Sequence, residues 1–129
     1  MSGEYLLDTN ILIALFANDV KVLHELRQAK TVFIPTIAFG ELYYGAQKSS
    51  NAKANVHKID ELSAASAVLK CDIDTARHYA IIKNNLKLKG KPIPENDIWI
   101  AAIAMQHNLI LVTRDAHFNE VVDLTTRSW

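Results

Sequence analysis

The chain has 129 residues, half of them apolar and 22% charged, with 14 Lys and Arg balanced by 14 Asp and Glu. That length suits one domain over residues 1–129 with a core of its own, and zero net charge argues against tight, sequence-indifferent binding to duplex DNA. No apolar run reaches membrane-spanning length, the opening Met1-Ser2-Gly3-Glu4 lacks a basic segment followed by an apolar one, and Cys71 is the single cysteine, so a reducing cytoplasmic setting without an internal disulfide is expected.

Short apolar runs alternate with longer helical patterns. Tyr5–Leu7, Thr31–Ile34, Val68–Lys70, Leu109–Thr113 and Val121–Thr125 read as buried strands. Between them, Val22, Leu26 and Ala29 share one helical face; Val56, Ile59 and Leu62 mark a second helix, and Ala76, Tyr79, Ala80 and Leu86 a third. Residues Ile98 to Met105 are all nonpolar, which predicts a helix buried on most sides. Thr36 is expected to cap the helix carrying Glu41, and Asn96 the helix beginning at Asp97. Gly90 and Pro92 end the long third helix. The β–α alternation predicts a parallel sheet with helices on both faces.

Four acids fall beside these runs: Asp8 directly after the first strand, Glu41 in the helix after the second, Asp97 at the start of the nonpolar helix, and Asp115 just beyond the Leu109–Thr113 run. Each alone has an ordinary explanation, as a cap, a turn residue or an exposed helical residue. As a set they have a shared one. Sites in open parallel sheets form outside the carboxyl ends of the strands, and there these positions converge. Two carboxylates about 4 Å apart repel by roughly 4 kcal/mol at an effective dielectric near 20. A divalent cation offsets that repulsion, and all-oxygen ligation suits Mg²⁺, with Mn²⁺ as the alternative, rather than Zn²⁺. Such a site can support hydrolysis of phosphodiesters.

The segments Leu7-Asp8-Thr9-Asn10-Ile11-Leu12, Glu41-Leu42-Tyr43-Tyr44-Gly45, Asn96-Asp97-Ile98-Trp99-Ile100-Ala101-Ala102 and Thr113-Arg114-Asp115-Ala116-His117-Phe118 resemble, in order and separation, those of PIN domains, and more closely the VapC-type toxins of toxin–antitoxin pairs. The resemblance runs from about Tyr5 to Leu124. It implies a three-layer α/β/α sandwich around a parallel sheet of strand order 3-2-1-4-5, and a Mg²⁺-dependent endoribonuclease held in check by a small antitoxin, with a homodimer as the assembly. It makes Asp8 and Asp97 the principal metal ligands, with Glu41 and Asp115 completing the catalytic pocket. Asn10 and Thr113 are then hydrogen-bonders that hold the carboxylates in place.

Two other functions fit parts of the pattern. A phosphatase of haloacid-dehalogenase-like type would also place an aspartate after the first strand, but its second aspartate, two residues on, is here Asn10. A catalytically silent module that only binds protein or RNA would have no use for four mutually repelling acids. Of the remaining polar residues, the five histidines show no zinc spacing, and His117 reads as a surface or turn residue. Cys71 is expected to pack against its strand, Gly45 to permit close helix approach, Trp99, Tyr43 and Tyr44 to pack helices or a dimer contact, and Trp129 to fray. The lysine sets Lys83, Lys87, Lys89, Lys91 and Lys48, Lys53, Lys58 read as solvated helix faces.

Overall fold

The structure is a computed structural model that describes residues 3–129. Five strands, β1 (Glu4–Leu7), β2 (Thr31–Pro35), β3 (Ala67–Leu69), β4 (Ile110–Val112) and β5 (Thr126–Arg127), form one sheet in the order β3-β2-β1-β4-β5. Every pairing is parallel. Six helices connect them: α1 (Thr9–Phe16), α2 (Val20–Gln28), α3 (Thr36–Lys48), α4 (Ala52–Ala65), α5 (Ile73–Leu88) and α6 (Glu95–Gln106), with a 3-10 turn over Ala116–Glu120.

The alternation of side chains along a strand builds two cores. Tyr5 and Leu7 of β1, Ile34 of β2 and Val112 of β4 face α1 to α4, where they meet Ile11, Leu12, Val22, Phe39, Leu42 and Ile59. Leu6 and Leu111 point the other way, into Leu86 of α5, the nonpolar stretch of α6 and Phe118. The result is the expected three-layer arrangement, and α6 buries Ile98 and every residue from Ile100 to Ala104.

Helix α1 has no periodic signature. From Ile11 to Phe16 the sequence is apolar at every position, so no polar face marks the helical period, although Ile11, Leu12 and Ala14 are the side chains it buries. The last strand is displaced from its expected place. Residues Val121–Thr125 are not a strand: Leu124 N–H bonds back to the Val121 carbonyl, and Asp123 takes a left-handed φ of 67°, a conformation Asp tolerates better than most residues. The chain joins the sheet only after this turn: the Thr125 carbonyl accepts the Leu111 amide at 2.9 Å, and the strand itself is Thr126–Arg127.

Two caps also differ from expectation. Pro35 occupies the N-cap of α3, and the Thr36 hydroxyl donates instead to the Leu69 carbonyl at 3.1 Å, tying α3 to the end of β3. Pro94 precedes α6, which begins at Glu95 rather than Asp97; its fixed φ suits a helix entry. Gly90, at φ 68°, ends α5 as its sequence position implies. Cys71 is exposed rather than packed. A Cβ on Gly45 would meet nothing within 4 Å, so no close helix approach requires glycine there. Trp129 is buried at 4% exposure, set edge-on against Tyr5 with ring centroids 5.2 Å apart. Trp99 stacks on Tyr79 at 4.0 Å between centroids, and the Tyr43 hydroxyl donates to Asp60 of α4, so both pack helices; Tyr44 is exposed. Of the first lysine set, Lys83 pairs with Glu95 and Lys89 with Glu120.

Candidate active site

Strand β1 is where the sheet changes direction of growth: from it the chain builds outward through β2 and β3, then returns to lay β4 against its other edge. Crevices open at such points, outside the carboxyl ends of the strands. Leu7 of β1 is level with Val112 of β4, and the next residue on each strand is polar and buried: Asp8 at 4% exposure and Thr113 at 6%. The Asp8 amide extends the ladder by one bond, to the Val112 carbonyl at 3.0 Å.

Asp8 is held on both carboxylate oxygens. Oδ1 accepts the Thr9 amide at 2.8 Å, which makes Asp8 the N-cap of α1. Oδ2 accepts the Thr113 hydroxyl at 2.7 Å and, at a longer 3.3 Å, the Asn10 side-chain amide. Asn10 in turn accepts the Arg114 amide through Oδ1 at 3.2 Å, and Thr113 Oγ1 accepts the Asp115 amide at 3.0 Å. The two side chains expected to brace the acids therefore do touch Asp8. Burial raises the pKa of Asp8; the Thr113 and Thr9 hydrogen bonds oppose the shift, and Asp115 adds to it.

Glu41, the sixth residue of α3, reaches the same place from the helix flank, where its Oε1 accepts the Thr9 hydroxyl at 2.9 Å. Asp97 lies in the first turn of α6. Its carboxyl is pushed up to about 6, first by burial and then by the charges of Asp8, Asp115 and Glu41, with His117 opposing. The charges of the other three acids are thus all felt at Asp97. Asp115 caps the 3-10 turn by accepting the His117 amide at 2.9 Å, so Asp8 and Asp115 fill the ordinary capping roles as well as facing the pocket.

Thr9 escaped the sequence reading, and His117 keeps the surface turn position expected of it while lying beside the acids. Thr9 links Asp8 to Glu41, but a threonine at the first position of a helix has no distinguishing signal. His117 places its Nδ1 3.1 Å from Asp115 Oδ1, and among the described residues Asp97, Asp115 and His117 can each offer one ligand atom within 4.8 Å of the others. The Asp-Ala-His spacing was its only clue. Arg114 closes the rim: its guanidinium donates to Asp19 at 3.0 Å and to the Trp129 carbonyl at 2.7 Å.

The donor set is chemically suited to a hard divalent ion: carboxylate oxygens crowded together, two of them on groups whose charge the fold disfavours. Fold and pocket together define an open α/β domain with an acidic crevice at its topological switch point. The chain belongs to the PIN domain family, whose model matches residues 5–124, and within it to the VapC group. It is 36% identical to Ribonuclease VapC2 of Haemophilus influenzae over 98% of both chains. It is 33% identical to the tRNA(fMet)-specific endonuclease VapC of Shigella flexneri, again over 98% of each. Among solved structures, VapBC2 from Rickettsia felis, bound to a promoter DNA fragment, matches with a TM-score of 0.90 at 28% identity, covering 97% of this chain and 98% of that one. No helix among the described residues is long and apolar enough to cross a membrane.

Proposed function

We propose that this protein is a Mg²⁺-dependent endoribonuclease and the toxin of a toxin–antitoxin pair. The observation that carries the reading is the gathering of the acids at the ends of β1 and β4: burial first, and then the charges of Asp8, Asp115 and Glu41, push the Asp97 carboxyl up to about 6. Folding therefore brings together charges that favour a cation between them. Asp8 and Asp97 would hold the ion, with Glu41 and Asp115 completing the pocket; Mn²⁺ fits the same donors. When bound, the ion supplies Lewis acidity at the scissile phosphate.

The chain's own residues do the rest. Asp8, fixed by Thr9, Thr113 and Asn10, keeps one orientation and positions what it binds. Glu41, steadied by Thr9, accepts a hydrogen bond from the attacking water and aligns it for in-line displacement at phosphorus. The neutral overall charge suits a substrate recognised by its bases as much as by its phosphates, and single-stranded or looped RNA presents bases that way. The relatives' names as ribonucleases and their VapBC complexes support RNA as substrate and a small antitoxin as partner; a homodimer is the further assembly proposed, in the cytoplasm.

The test is incubation of the purified chain with total cellular RNA, with and without Mg²⁺, followed by mapping of the new ends. Cleavage that needs Mg²⁺ and is lost in both Asp8→Asn and Asp97→Asn is expected. Full activity in both variants would remove the assignment. RNA binding without any metal-stimulated cut would favour a silent binding module instead.

A further inference from the structure

Building on the metal site proposed above, we propose that His117, beside Asp115, donates a ring nitrogen to the ion that Asp8 and Asp97 hold, and that this nitrogen raises the pocket's affinity for Mn²⁺ relative to Mg²⁺. Asp97, Asp115 and the imidazole can each offer one ligand atom within 4.8 Å of the others. Metal–oxygen bonds of about 2.1 Å set ligand atoms roughly 3 to 4 Å apart around an octahedral ion, so small side-chain rotations close the gap. The His117 side chain is free to make them. It is 58% exposed, and its close partner among the described residues is the Asp115 carboxylate, 3.1 Å from Nδ1. Its backbone is fixed more firmly, by the hydrogen bond its N–H donates to the same carboxylate, so the ring swings about a set anchor.

The other histidines contact different groups or none in the pocket: His24 meets Gln28, and His57 meets Glu61. A pocket of carboxylates alone offers hard oxygens, which suit Mg²⁺; an imidazole among them adds affinity for first-row transition ions. The competing role for His117 is a surface ion pair with Asp115 that never meets the metal. It predicts no nitrogen on the ion and no change in metal preference.

The experiment uses the tag-free chain with substoichiometric Mn²⁺, read by electron spin echo envelope modulation for coupling to ¹⁴N, together with calorimetric titration of Mn²⁺ and of Mg²⁺. Nitrogen coupling is expected in the wild type and not in His117→Ala. In that variant Mn²⁺ affinity should fall about tenfold while Mg²⁺ affinity changes by less than about threefold. Mn²⁺ bound by the wild type without nitrogen coupling would overturn the proposal even if His117→Ala failed to fold; so would an equal loss of both ions in a folded His117→Ala. Absence of Mn²⁺ and Mg²⁺ binding to the wild type would overturn the metal site itself, a separate result from bound ions that ignore His117.

Discussion

At the scale of single residues, the pocket combines one acid that is locked and one that is not. Asp8 receives hydrogen bonds from Thr9, Thr113 and Asn10, whereas Asp97, in the first turn of α6, carries the larger burden of like charge. The direction of its pH effect follows. Its folded pKa, about 6, lies above the ordinary 3.8, so between those values the folded state binds more protons than the unfolded one. Stability of the metal-free protein from this group therefore falls as pH rises from about 4 to 6. Melting curves across that range should show the wild type losing stability relative to Asp97→Asn, with saturating Mg²⁺ removing the difference; parallel curves without metal would refute it. The four acids were legible because carboxylates beside apolar runs are unusual. Thr9 was not, because a threonine after an aspartate has common local uses; for His117 the turn position was legible but its nearness to the acids was not.

At the scale of elements, the first four strands and the nonpolar helix α6 follow directly from apolar runs, and the two faces of the sheet follow from alternation. What resisted reading has specific causes. Helix α1 is apolar at each position from Ile11 to Phe16, which erases its period. The β5 expectation fell on apolar residues that a turn at Asp123 holds away from the sheet. Trp129 looked like a loose end because its partners, Tyr5 and Arg114, are far away in sequence. Helix α3 yields a prediction from a failed expectation. Gly45 sits inside it with open space where a Cβ would be, so glycine there only loosens the unfolded chain. Gly45→Ala should raise stability by about 0.5–1 kcal/mol, read as a higher urea midpoint with an unchanged slope; a lower midpoint would refute it.

At the scale of the whole molecule, the strand order 3-2-1-4-5 assembles the pocket. The fold was readable from the alternation of runs together with the motif resemblance; alternation alone gives a parallel sheet but leaves the strand order open. Crowded acids link the pocket to global stability, since an ion that binds only the folded chain stabilises it by mass action. Mg²⁺ at about a hundred times its dissociation constant should add about 2.7 kcal/mol, seen as a rise in melting temperature that is reduced in Asp8→Asn. Equal shifts in both proteins would place the bound ions elsewhere.

The order of the chain also sets when the pocket can exist. Asp8 and Glu41 emerge early in synthesis, Asp97 follows α5, and the Thr113 hydroxyl that holds Asp8 is more than a hundred residues downstream of it. A nascent polypeptide still lacking β4 has Asp8 without its brace and without Asp115 across from it. The pocket is thus closed by a contact of long sequence separation, and a chain that stops short of β4 has no means of assembling it.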